Sequence, residues 1–191
     1  MRWILLFLMS FTATALVAQD VEETGKSPVV AKVAPMGTVR MDLCSSGIEL
    51  VGQDEGALRV SYDPDRGNVK VRIRVAQDRA DLTLTGCPRN NFRLRIELPK
   101  ASALYVRMFA GELNVRDVLG DKDVELHFGQ LSMEVGKAED YRHVSASVNS
   151  GELDAPAFNI SKGGLFRSFS RTGSGKHLLH AHVGAGELDL R

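Results

Sequence analysis

His180 and His182 stand two residues apart in His177-Leu178-Leu179-His180-Ala181-His182. On a strand that spacing puts both imidazoles on one side, where they could hold a transition metal. A third ligand would have to come from His127 or His143, which no spacing ties to them. The reading adopted is therefore surface histidines, with no metal and no cofactor. Cations are spaced in the same way: Lys70, Arg72 and Arg74 alternate with Val69, Val71, Ile73 and Val75, and Arg93 and Arg95 alternate with Phe92, Leu94 and Ile96. If those two strands lie close together, five cations form a footprint for an anionic lipid, a lipopolysaccharide or another polyanion. The alternative is a solvated face with acids opposite, such as Asp81 or Glu97.

A third pattern is acidic. Glu112/Asn114, Gln130/Ser132, Glu152/Asp154 and Glu187/Asp189 lie one and three residues beyond Gly111, Gly129, Gly151 and Gly186. Stacked strands would bring these oxygens within about 5 Å of the next pair. Such a ladder could bind a hard cation, which takes six to eight oxygens, or supply the two carboxylates of a glycosidase. No Asp-rich loop accompanies it and Gln130 interrupts the charge, so a polar solvated face is the expectation. Enzyme motifs fail as well. There is no nucleophile elbow and no His-Glu-x-x-His, and Gly173-Ser174-Gly175-Lys176 lacks the first glycine and the hydroxyl residue of a phosphate loop. No catalytic residue is assigned, and the chain is read as non-enzymatic.

Cys44 and Cys87 are the two cysteines. Bridged, they would close a loop of about 44 residues, worth about 4 kcal/mol on the chain-entropy view. Whether they come within bonding range is not written in their spacing, so a disulfide and two separately buried thiols stay open. With no Cys-x-x-Cys pair, a zinc ribbon or thioredoxin-type site is not supported.

The elements that must position these residues are strands. From Gly37 onward a period of two dominates: Val69–Val75, Leu82 and Leu84, and Phe92–Leu98 before Pro99. Turn signals separate them at Asp63-Pro64-Asp65-Arg66-Gly67, Gln77-Asp78 and Gly86-Cys87-Pro88. No segment carries the helical apolar spacing at length.

Beyond Pro99 the chain repeats. Aligned on Gly111, Gly129, Gly151 and Gly186, the second residue after each glycine is Leu113, Leu131, Leu153 or Leu188, and the fourth is Val115, Met133, Ala155 or Leu190. Three before each glycine stands Met108, Leu126, Val148 or Val183. Apolar positions thus fall at odd offsets before the glycine and even offsets after it. An unbroken pleat cannot do that, so a bend belongs at each glycine, where a missing Cβ allows it. The intervals are 18, 22 and 35 residues, the last reading as two units with a degenerate one around Lys162–Gly175. Units of about 20 residues that bend and return in register predict stacked coils of a β-solenoid, sharing a core that none could form alone. An antiparallel sandwich with recurrent Gly-Glu-Leu turns is the alternative.

Arg2, an apolar run of roughly 15 residues and small residues up to Ala18 describe a secretory signal peptide rather than a membrane span, which needs about 20. Residues 1–18 are read as that signal, 19–36 as a polar leader or linker with Pro28 and Pro35, and 37–191 as one domain: irregular N-terminal strands over 37–98 and Gly-Glu-Leu coils over 99–191. The 191 residues carry 24 basic and 24 acidic side chains, with 43% hydrophobic and 25% charged residues. That composition argues against wholesale disorder and gives no reason to expect nucleic acid as a partner. No apolar tail precedes Arg191, so no transmembrane segment is expected once the signal is gone, and the product is expected in the periplasm or secreted.

With Gly111-Glu112-Leu113, Gly129-Gln130-Leu131, Gly151-Glu152-Leu153 and Gly186-Glu187-Leu188 following an exported N-terminus, residues 37–191 resemble a bacterial family of exported β-solenoid proteins described as candidate adhesins, or toast-rack-like domains. The resemblance implies a non-catalytic envelope or surface protein and brings no catalytic residues with it. The reading is an all-β, short single-domain β-solenoid acting as an envelope scaffold or adhesin-like binding module, for an anionic envelope polymer or lipid. Self-assembly through exposed coil edges and a polysaccharide-active enzyme built on the stacked carboxylates are the alternatives.

Overall fold

A computed structural model describes residues 18–88 and 91–191. The apolar segment assigned to a signal peptide therefore lies outside the described residues, apart from Ala18. The remainder is nearly all strand: β1 (Gln19–Thr24), β2 (Val29–Lys32), β3 (Thr38–Leu43), β4 (Ser46–Gln53), β5 (Ala57–Tyr62), β6 (Lys70–Ala76), β7 (Arg79–Thr85), β8 (Arg93–Pro99), β9 (Ala103–Arg116), β10 (Lys122–Met133), β11 (Tyr141–Ala155), β12 (Ile160–Thr172) and β13 (His177–Leu190). Among the described residues no helix is long and apolar enough to cross a membrane.

The long strands bend where the sequence changes phase. Leu104, Val106 and Met108 are buried before Gly111, and Leu113 and Val115 after it. Each of β9, β10, β11 and β13 therefore contributes one limb to each of two walls, and the core lies between the walls. In register, Gly111 pairs with Gly129, Gly129 with Gly186, and Gly186 with Gly151. All four glycines have φ between +126° and +140°. A Cβ on any of them would come closer than 3.0 Å to the backbone carbonyl of the neighbouring coil. Both the close approach and the left-handed backbone require glycine.

The parallel coils run β9, β10, β13, β11 in space, not in chain order. The C-terminal strand is threaded between two earlier ones, so Gly186–Arg191 does not form the exposed edge that a sequential stack would give. The degenerate unit is β12, which pairs antiparallel with β11 and sets Gly164 opposite Gly151. It is a cap, not a further coil. Of its residues only Ile160 and Phe169 are even half-buried, as expected of a terminal unit with a polar outer face.

The N-terminal strands continue the same two walls. β3 and β4 together lie along β9, with Ser46 rather than Gly47 opposite Gly111. β7 and β8 form the next layer, parallel to β3 and β4. β6 and β5 follow antiparallel, and β1 and β2 close the far end. Residues 19–36 are consequently not a linker: Val29, Ala31 and Val33 are core residues, while Val30 and Lys32 between them face outward. Three alternating core positions are too short a pattern to stand out in sequence. Cys44 and Cys87 form a disulfide across the corner between the β3–β4 layer and the β7–β8 layer, with a Cα–Cα distance of 5.9 Å.

Candidate functional site

The structure does not bring the five sequence-selected cations together. β6 lies in one wall between β1 and β7, whereas β8 lies in the other between β4 and β5. Each cation also has an acid beside it. Lys70 pairs with Glu22 at 2.7 Å, Arg72 with the same carboxylate, and Arg74 with Asp20 at 3.5 Å. Arg93 faces Glu112 at 3.5 Å, and Arg95 bridges Glu49 at 2.6 Å and Glu97 at 3.1 Å. The neutralising acids on β1 were hidden in the segment read as a leader. Lys70 and Arg72 hold the Glu22 carboxyl below its ordinary range by hydrogen bonding.

The carboxylate ladder does stack. Glu112, Gln130, Glu187 and Glu152 occupy one row across four coils, and Asn114, Ser132, Asp189 and Asp154 the next. Its members are engaged already: Gln130 donates to Glu187 and Asn114 to Glu112 at 3.1 Å within the ladder, and Arg191 beside it donates to Asp189 at 2.5 Å.

Free positive charge lies instead on β12. Lys162, Arg167 and Arg171 form no ion pair among the described residues, and the strand contains no acid. Lys162 Nζ donates to Ser168 O at 2.9 Å, and Arg167 Nε donates to Gly163 O at 2.8 Å. Both carbonyls belong to β12 itself, whose one sheet neighbour among the described residues is β11. Cations thus sit along an edge strand, a common guard against uncontrolled pairing. Between them Leu165 is 63% and Phe166 80% exposed. Phe166 also has φ +52°, a conformation that strains a bulky residue and is found where surrounding structure or function imposes it.

The histidines fall on the outer face of the wall that contains β6. Parallel pairing of β10 with β13 sets Asp123 opposite His180 and Glu125 opposite His182. The partners of the two histidines are therefore carboxylates of β10, not His127 or His143. Sequence order hid this, because β11 and β12 intervene in the chain between β10 and β13.

Sequence reading also missed Lys122. It occupies the column of Leu104 and Leu179 and is only 3% exposed. Its Nζ donates to Gly120 O at 3.3 Å and to the Tyr141 hydroxyl at 3.0 Å, and that hydroxyl donates to Val135 O at 2.8 Å. Desolvation brings the Lys122 amine down to about 8 and pushes the Tyr141 phenol well above its ordinary value. Both line a cavity of about 590 Å³ with Leu119, Glu134, His177 and Arg191. The cavity lies where the chain leaving β10 must pass β13 to reach β11. The signal was available: seven residues before the repeat glycines stand Leu104, Lys122, Val144 and Leu179, and one cation interrupts an apolar column.

No family model and no curated protein matches the chain. Two solved structures match the chain at low identity. A candidate cell adhesion protein from Clostridium sporogenes superposes with a TM-score of 0.51 at 12% identity, over 90% of this chain and 99% of the other. A candidate adhesin from Bacteroides fragilis gives a TM-score of 0.31 at 11% identity, over 93% of this chain and 98% of the other. The first likeness supports the all-β architecture.

Proposed function

We propose that the protein is an exported, non-catalytic, adhesin-like binding module of the cell envelope, and that it binds an anionic envelope component through β12. The observation that carries this reading is the strand itself: solvent-exposed along nearly its whole length, carrying three cations and no acid, and displaying Leu165 beside a strained Phe166. Elsewhere the strand-borne cations singled out from sequence are matched by acids, so β12 replaces β6 and β8 as the binding surface. The Cys44–Cys87 disulfide favours an oxidising compartment and so supports export. The description of the Clostridium protein as a candidate cell adhesion protein agrees in kind.

The test is retention of the purified protein on an immobilised anionic polysaccharide and on vesicles of anionic lipid, at two salt concentrations. Lys162→Ser/Arg167→Ser/Arg171→Ser should lose retention on whichever support holds the wild type, and salt should weaken it. Equal retention of this variant would sink the assignment to β12.

A second reading rests on topology. β12 runs antiparallel to β11, and β1 closes the opposite end running in the direction of β11. A copy translated along the stack would thus lay its β1 antiparallel to β12, setting Asp20, Glu22 and Glu23 near Lys162, Arg167 and Arg171. Concentration-dependent growth in sedimentation velocity, abolished by the same triple variant, would favour this assembly. A monomer at high concentration would remove it.

A further inference from the structure

We propose that the outer surface where β10 meets β13 is a binding site for a divalent transition-metal ion of the zinc class, with Asp123, Glu125 and His180 as ligands. The ligand atoms of these three residues lie within 4.8 Å of one another. A tetrahedral zinc site, with bonds of about 2.0–2.2 Å, needs donor atoms about 3.3 Å apart. Closing that gap calls for side-chain rotation of the half-buried carboxylates. The backbone itself is fixed, because both strands are internal to the sheet and hydrogen-bonded on each side. Sites built on strands hold such geometry better than sites on loops.

The donor set selects the ion. Two carboxylates and an imidazole suit zinc-class metals, with water in the remaining position. Calcium wants six to eight oxygens, and the two carboxylates supply too few. His182 stands beside Glu125, and its Nδ1 lies 2.8 Å from Ser147 Oγ on β11. That contact orients the ring and leaves Nε2 as a further donor on the same face.

Arg107 of β9 completes the surroundings. Its Nη1 lies 3.1 Å from Asp123 Oδ1 and its Nε 3.1 Å from Glu125 Oε2. The guanidinium holds the two carboxylates together in the metal-free protein and competes with the ion for them. Metal binding would release Arg107 to solvent, on which it already borders. The opposed roles of Arg107 and His180 give the site a signature that adventitious binding lacks.

Calorimetric titration of the chelator-treated protein with Zn²⁺ alone tests this. The expected result is a saturable one-to-one isotherm. His180→Ala and Asp123→Asn should each weaken it by at least about tenfold, a loss on the scale known for groups that support a metal site. Arg107→Ser should tighten it. These positions are at the surface, and a circular-dichroism melt checks that each variant is folded. The His180 ring resonances should shift on titration. Binding unchanged by His180→Ala and Asp123→Asn would overturn the proposal by locating the ion at another histidine. Absence of binding by both the wild type and Arg107→Ser would overturn it outright.

Discussion

The backbone of Gly186 lies so close to Gly129 that a Cβ at position 186 would come closer than 3.0 Å to the Gly129 carbonyl oxygen. Gly151 is related to Gly186 in the same way, so the corner of the stack is a column of main chain without side chains. Gly186→Ala forces two coils apart and places an alanine at φ +140°. Overpacking of this kind costs about 1–3 kcal/mol, and the incompatible backbone adds to it. The melting temperature should fall by several degrees or more. Gly163→Ala is the control, because its Cβ would meet nothing nearer than Glu152 Cγ at 4.0 Å. Equal melting temperatures for the two variants would show that the corner tolerates a side chain.

That corner was legible from sequence because the phase of burial reverses at each glycine, and only a bend explains a reversal repeated at Gly111, Gly129, Gly151 and Gly186. Strand order was not. Leu113, Leu131, Leu153 and Leu188 are interchangeable core residues in equivalent coils, so nothing local tells β13 to enter between β10 and β11. For the same reason Asp123 and His180 could not be paired in advance. The cations of β6 and β8 were readable as a face, but their neutralisation depends largely on β1, β4 and β9, whose pairing is long-range. Lys122 differs from all these, since one cation in the column Leu104, Lys122, Val144, Leu179 is visible in the sequence itself.

Lys122 carries a pH dependence whose sign follows from burial. In the unfolded chain its amine titrates near 10.5, as an ordinary lysine does, and in the folded protein near 8. Between those values the unfolded state binds the extra proton, so stability rises with pH across about 8 to 10. Above about 10 the Tyr141 phenol, held above its ordinary value in the fold, ionises preferentially in the unfolded chain and reverses the trend. Below pH 8 the desolvation penalty on the charged amine is fully present. Lys122→Met should therefore raise stability at pH 7 by about 1–3 kcal/mol and flatten the rise between pH 8 and 10. Urea denaturation at pH 7, 8.5 and 10 measures both effects. A wild-type curve that falls across that interval would contradict the assignment.

The Cys44–Cys87 bridge spans 43 residues of sequence and ties two adjacent layers at the corner side. Closing a loop of that size in the unfolded chain is worth about 4 kcal/mol. Cys44→Ser/Cys87→Ser should unfold at markedly lower denaturant concentration than the oxidised protein. Reduction of the wild type should produce a comparable loss. Titration of thiols in the unfolded, unreduced protein should find none, and two free thiols there would refute the bridge.

Phe166 separates fold from binding. At φ +52° and 80% exposed, its ring adds little to the core, while its backbone carries strain of about 1–3 kcal/mol. Asparagine tolerates the left-handed region. Phe166→Asn should therefore leave the melting temperature unchanged or raise it, by about 2–4 °C for each kcal/mol recovered in a domain of this size. If β12 is the binding surface, the same substitution should weaken retention on the anionic support at fixed salt, because an exposed aromatic between cations supplies apolar contact that charge alone does not. Retention then falls without any loss of stability, which no purely structural role for Phe166 produces. Loss of stability together with unchanged retention would instead make Phe166 a strut of the cap and remove it from the site.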